Sequence, residues 1–156
     1  MTSLSPADIA TGTAAAHAQA LKSLSEGGVP VGACLMLDGQ VVAVGHNQRV
    51  QKGSNVLHGE TDCLEAAGHT HDLTRAAMFT TLAPCLMCTG AIELFKIPTL
   101  VVLDQENIAD FTHGLPRLRE SGVEVIDAPH APTIELMRKF QTDPTTRRIW
   151  MGDVGL

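Results

Sequence analysis

The sequence predicts an α/β protein: a mostly parallel sheet with helices on both faces, made mixed by one hairpin. Two observations lead there. Through the second half of the chain, runs of strand-forming residues alternate with helical segments, the order that winds parallel strands through helical crossovers. Earlier, two strand-like runs flank Asp38-Gly39, a dipeptide suited to a two-residue hairpin turn. At 156 residues the chain has the length of a single domain, residues 1–156, and can bury roughly 70% of its unfolded surface.

In chain order, Leu4-Ser5-Pro6-Ala7-Asp8-Ile9 predicts a helix start, with Ser5 as cap, Pro6 at the first helical position and Asp8 at the positive end. Leu4 and Ile9 can staple it. That helix runs to about Glu26, where Gly27-Gly28 stops it. Val31 to Leu37 and Gln40 to Val44 are rich in strand formers and make the hairpin. Residues 45–49 then leave the second strand for a polar loop, Gln51 to Asn55. His58 opens the next helix, which closes near Gly68. The turn at 69–75 holds His69 and His71, to which no role is assigned. Ala76 to Leu82 is the third strand; Pro84 begins a helix bearing Cys85 and Cys88, and Pro98 lies beyond its end. There follow a strand from Thr99 to Leu103, a short helix near Pro116 to Glu120, a strand from Val123 to Ile126, and a helix from about Pro132 to Gln141. The tail from Ile149 to Gly155 is not a polar random end, and Trp150 is expected to pin it to the core.

Hydrophobic residues make up 44% of the chain, yet no apolar run approaches the roughly 20 residues of a membrane span. The N-terminus lacks a basic-then-apolar secretory pattern, so a cytoplasmic protein with no membrane partner is expected. Four cysteines without an export signal fit a reducing compartment, and Cys34 and Cys63 lie in apolar patterns expected to be core. Net charge is −6 and the basic residues are scattered, which offers no footprint for a phosphate backbone. Aromatics are only 3%, too few to build stacking platforms for single-stranded nucleic acid. A small uncharged substrate is therefore favoured over a polynucleotide.

The chemistry concentrates in two stretches, Leu57-His58-Gly59-Glu60 and Pro84-Cys85-Leu86-Met87-Cys88. His58 offers an imidazole nitrogen; Cys85 and Cys88, three residues apart, share one face of a helical turn. These are zinc-preferring ligands, and three of them leave the fourth position of a tetrahedral site to water. Taken alone, the cysteine pair could be a thioredoxin-like redox motif or two small buried hydrophobes. The upstream His-x-Glu and the preceding proline turn the reading toward a zinc nucleobase deaminase, whose signature is H-x-E followed by P-C-x-x-C. Glu60, two residues past the histidine, is not required as a ligand and is placed to move protons, a role worth about 10²- to 10⁴-fold in rate.

Further stretches carry a more specific resemblance: Glu26-Gly27-Gly28-Val29-Pro30, Gly45-His46-Asn47, Gln51-Lys52-Gly53-Ser54, Thr80-Thr81-Leu82, Met87-Cys88-Thr89-Gly90-Ala91, Gly122-Val123-Glu124-Val125, and the tail Trp150 with Asp153-Val154-Gly155. With the zinc motif they make the chain resemble the fungal-type cytosine deaminases of the cytidine deaminase-like superfamily over nearly its whole length. The resemblance implies a three-layer α/β/α sandwich with a five-stranded mixed sheet, and a homodimer with one zinc per subunit. It implies that Asn47 hydrogen-bonds the pyrimidine carbonyl side with help from the Gly59 backbone. Asp153 would face the exocyclic amine, and Trp150 and Val31 would wall the base.

The chain departs from that pattern in places. Ala83 and Leu86 replace more polar residues, and Asp110 stands where an aromatic usually covers the base, with Phe111 one place later. Asp110 and Phe111 thus join the candidate substrate contacts, and isocytosine, guanine or a related aminoheterocycle competes with cytosine. Deamination of transfer-RNA adenosine by the same motif is a second reading, opposed by the acidic balance. A structural zinc protein is a third, opposed by Glu60, for which a purely structural site has no use.

Overall fold

The computed structural model describes residues 3–108 and 114–153. Helix α1 (Pro6–Ser25) starts as its sequence dictates: the Asp8 backbone N–H donates to Ser5 Oγ at 3.2 Å, and the Ser5 N–H donates to Asp8 Oδ2 at 2.8 Å. Strands β1 (Gly32–Leu37) and β2 (Gln40–His46) form the hairpin. Asp38 and Gly39 between them take φ of 50° and 78°, the left-handed pair that a tight turn matched to strand twist requires.

Beyond the hairpin come α2 (Arg49–Lys52), α3 (Gly59–Ala67), β3 (Ala77–Thr80), α4 (Leu86–Leu94), β4 (Thr99–Val102), α5 (Gly114–Glu120), β5 (Glu124–Asp127), α6 (Ala131–Thr142) and α7 (Pro144–Asp153). Two of these correct the sequence reading. The expected polar loop holds the single turn α2, closed by Gly53 at a φ of 60° and too short to show apolar periodicity. What reads as a tail is the helix α7, which starts where the Thr145 N–H donates to Asp143 Oδ1 at 2.7 Å.

The strand order is β2-β1-β3-β4-β5. The sheet is mixed, as expected: β1 runs antiparallel to both β2 and β3, whereas β3-β4 and β4-β5 pair in parallel, so four of the five strands share one direction. The connection through α3 carries the chain from β2 past β1 to β3, so β1 is clasped between two strands of the opposite direction.

Alternate strand residues face opposite layers. Leu35, Met78, Leu100 and Val102 pack with Cys63 of α3, Ile92 of α4 and Leu118 of α5, whereas Cys34, Met36, Phe79 and Val101 pack with Ala16 of α1. This is the three-layer α/β/α arrangement. Cys34 and Cys63 are core residues, and burial pushes the Cys34 thiol up to about 12, which makes it a poor nucleophile. Helix α3 meets β2 backbone to backbone: a Cβ on Gly45 would sit 2.2 Å from the Cys63 nitrogen. Among the described residues no helix is long and apolar enough to cross a membrane.

Candidate active site

Helices α3 and α4 open at the same end of the sheet, and their first residues build the site. His58 and Cys85 are the caps, both with extended backbone (ψ of 174° and 173°), so each side chain projects from the mouth of its helix. The His58 N–H donates to Thr61 Oγ1 at 2.8 Å, locking that start. Cys88, in the first turn of α4, points the same way as Cys85.

His58 Nδ1 lies 3.5 Å from Cys85 Sγ and 3.8 Å from Cys88 Sγ. A tetrahedral zinc with bonds of about 2.0 Å to nitrogen and 2.3 Å to sulfur has ligand-to-ligand edges of about 3.5–3.8 Å. The donor set therefore fits zinc in number, type and spacing. Among the described residues it is the one cluster of at least three such side chains able to hold a metal ion; His69 and His71 form none. The Cys85 thiol is drawn down to about 4, chiefly by a hydrogen bond from Cys88, against the opposing effect of burial and with His58 adding to the pull. A sulfur already ionised at neutral pH is a ready ligand.

Glu60, in the first turn of α3, is 3% exposed. Cys88 Sγ lies 3.3 Å from its Oε2, and the Thr80 hydroxyl lies 2.8 Å from its Oε1. Burial first, and then the Cys85 thiolate, push its carboxyl above the usual range. The acid thus stands beside the ligand cluster without belonging to it.

A cavity opens onto these groups. Its polar lining is Asn47, His58, Glu60, Cys85 and Asp153, and its apolar lining is Val31, Leu82, Ala83 and Trp150. Asn47 follows β2 and is 1% exposed. Its backbone N–H donates to the Val31 carbonyl, its carbonyl accepts from Ser23 Oγ, and its Oδ1 accepts from the Arg49 N–H. With Oδ1 taken, the amide nitrogen is the end left to work, and it donates to Asp153 Oδ1 at 3.3 Å. Asp153 also lies 3.9 Å from His58 Nε2. Trp150 packs with Val31, Leu82, Met137 and Phe140, so α7 is docked by its aromatic side chain.

Seven of the sequence-predicted residues thus line or flank one cavity: Val31, Asn47, His58, Glu60, Cys85, Trp150 and Asp153. Cys88 is buried behind Cys85. Gly59 packs beneath, where an added Cβ would sit 3.2 Å from the Gly32 backbone, and it is not part of the described lining. Asp110 and Phe111 lie outside the described residues. Sequence reasoning did not single out Leu82 and Ala83 as wall residues, nor Thr80 as the partner of Glu60. Thr80 carries no signal of that role, since threonine is at home in strands and Thr81 follows it.

Residues 8–104 match the family described as the cytidine and deoxycytidylate deaminase zinc-binding region. A cytosine deaminase of Candida albicans is 41% identical over 140 residues, which cover 88% of this chain and 90% of that protein. A tRNA-specific adenosine deaminase of Streptococcus pyogenes is 35% identical over 86 residues, 53% of this chain and 54% of that protein. A solved guanine deaminase from Nitrosomonas europaea superposes with a TM-score of 0.74 at 19% identity, covering 89% of this chain and 86% of that one, a likeness of fold.

Proposed function

The chain belongs to the zinc-binding cytidine and deoxycytidylate deaminase family and is a zinc-dependent hydrolytic deaminase, and from that premise we propose that its substrate is the free base cytosine, converted to uracil and ammonia. The observation that carries this reading is the cavity itself. It joins a three-ligand cluster and an adjacent buried acid to a small recognition wall made of one amide, one carboxylate and one indole. The 41% likeness to a cytosine deaminase over most of both chains supports the choice of base.

His58, Cys85 and Cys88 hold the metal. When bound, zinc supplies a Lewis acid that lets water act as a nucleophile near neutral pH. The remaining work belongs to the chain. Asn47 donates its amide N–H to the C2 carbonyl oxygen, on the far side of N3 from the leaving group, and Asp153 accepts from the exocyclic amine. Val31, Leu82 and Trp150 sandwich the base and exclude solvent. Glu60 takes a proton from the attacking water and delivers it to ring N3, while the oxygen bonds to C4 and makes that carbon tetrahedral. It then carries the second proton from the new hydroxyl to the amino group. The C4–N bond breaks, ammonia leaves, and C4 becomes a carbonyl. One water is consumed for each ammonia released, and Glu60 ends as it began.

Exposed apolar side chains support the two-copy assembly that the resemblance implies. Leu86, Met87, Leu94 and Phe95 of α4 and its end, with Val50 and Val56 nearby in sequence to the metal ligand His58, expose large apolar side chains. A homodimer with one zinc per subunit would cover such side chains, and light scattering on the eluting protein is expected to give twice the mass of the chain.

The deciding experiment is ammonia release by the zinc-loaded protein from cytosine, isocytosine, guanine, adenine and cytidine. Cytosine is expected to react fastest. Preference for isocytosine or guanine would move the reading to another aminoheterocycle, and turnover of transfer-RNA adenosine with none of the free bases would replace it.

A further inference from the structure

We propose that Thr80 is the positioning residue that sets the Glu60 carboxyl group for proton transfer; the proposal rests on the reading of Glu60 as proton carrier. Thr80 ends β3 and is fully buried. The three residues before it, Ala77, Met78 and Phe79, are apolar core, so a hydroxyl at this place needs a reason. Its oxygen lies 2.8 Å from Glu60 Oε1 and 2.9 Å from the Leu82 carbonyl oxygen.

The two sides of that contact differ in stiffness. Thr80 stands on a strand paired on both edges, opposite Ala33 in β1 and Val102 in β4, and its carbonyl accepts from the Leu103 N–H at 3.0 Å. Its branched side chain has few rotamers. Glu60 has three side-chain torsions and sits in the first turn of a helix, so without an anchor its carboxyl could turn away from the cavity. Thr80 fixes Oε1 and leaves Oε2 on the Cys88 side, toward the metal ligands.

The chemistry of the anchor suits a shuttle. A hydroxyl has one proton and cannot donate to the Leu82 carbonyl and to Glu60 together. It can donate to a carboxylate, or accept from a carboxylic acid while donating to Leu82. One contact therefore serves both forms through which a proton carrier passes. A valine would fill the same space and do neither.

The test compares the parent protein with T80V, T80A and T80S, each assayed for bound zinc, thermal midpoint and cytosine turnover. T80V and T80A are expected to lose about 10- to 100-fold in kcat, the range for a small misplacement of a catalytic group, with KM and zinc content held. T80S, which keeps the hydroxyl, is expected to restore kcat to within about threefold of the parent. The decisive arm is the double variant E60Q/T80V. If Thr80 acts through Glu60, removing the hydroxyl adds nothing to the loss already caused by E60Q, whereas a merely structural role adds its own loss. Additive losses overturn the proposal, as does a T80V kcat within about twofold of the parent, or a folded T80S as slow as T80V. Should T80V not fold, T80A and E60Q/T80A supply the same comparison. A parent protein that releases ammonia from no base defeats the function proposed above; an active parent with additive variants defeats only the role given to Thr80.

Discussion

The side-chain nitrogen of Asn47 lies 3.3 Å from Oδ1 of Asp153, a contact that ties the end of β2 to the last turn of α7 across 106 residues of chain. Every polar group of Asn47 is engaged, so the pair is a built feature of the pocket. Replacing Asp153 by Asn keeps the shape and removes the charge. The expected result is a loss of about 10- to 100-fold in kcat/KM for cytosine, the worth of a hydrogen bond to a charged group. Zinc content should be unchanged. Steady-state kinetics with metal analysis check this, and an unaltered kcat/KM would remove Asp153 from the recognition wall.

Glu60→Gln separates metal binding from proton transfer. Glutamine fills the same buried space beside Thr80 and Cys88 but cannot carry a proton. The variant is expected to retain one zinc per chain while kcat falls by about 10²- to 10⁴-fold. Ammonia release at the parent rate would show that another group moves the protons.

The ligand cluster is assembled only in the folded chain, because His58 and the two cysteines belong to different helices. Zinc binding is therefore linked to folding. At a free zinc concentration of about 1,000 times Kd the native state gains about 4 kcal/mol. Chelation is expected to abolish turnover and lower the thermal midpoint, with zinc but not magnesium restoring both. Calorimetry with and without chelator measures the shift, and Cys85→Ala should show no response to zinc.

Acid sensitivity has an identifiable source away from the cavity. His17 of α1 lies 2.8 Å from Thr133 Oγ1, and its ring meets that of His130 at 5.0 Å. Burial first, and then the charge of His130, hold its pKa below the ordinary value of 6.5. The unfolded chain thus binds a proton that the folded one resists. The stability tied to neutral His17 is fully present above 6.5 and declines as pH falls below that value toward the depressed one. Urea midpoints measured across this window should fall more steeply for the parent than for His17→Gln. Parallel curves would assign the acid sensitivity elsewhere.

Gly45→Ala should weaken the fold where strand and helix touch. The added methyl would meet the Cys63 nitrogen at 2.2 Å, a rigid backbone atom of α3. Overpacking of this kind costs about 1–3 kcal/mol. Because α3 carries His58 and Glu60, the variant is also expected to bind zinc less tightly, which a competition titration would detect.

The metal ligands and Glu60 are legible from sequence because their spacing is local: two short motifs at two helix starts specify donor type and number. Asn47, Asp153, Trp150 and Val31 are legible only through resemblance, since nothing in their immediate neighbours marks them as members of one cavity. Helix α7 is missed because its residues show no apolar stripe. What holds it is Trp150 against Val31, Met137 and Phe140, contacts between distant parts of the chain. Asp143-Pro144 offers a helix-start signal that the polar composition masks. The antiparallel pairing of β1 with β3 is likewise invisible, because residue patterns mark strands without naming their neighbours. Thr80 is hidden for the opposite reason: threonine is at home in strands, so its type raises no question until its partner is seen.

Helix α7 brings Trp150 and Asp153 to a metal cluster encoded far upstream on α3 and α4. On the proposed reading, the part of the recognition wall that α7 supplies is written apart from the metal ligands and Glu60. Changes confined to α7 would then retune which heterocycle is admitted while the groups that break the carbon–nitrogen bond stay in place, so a library in α7 is a natural place to search for new amine substrates.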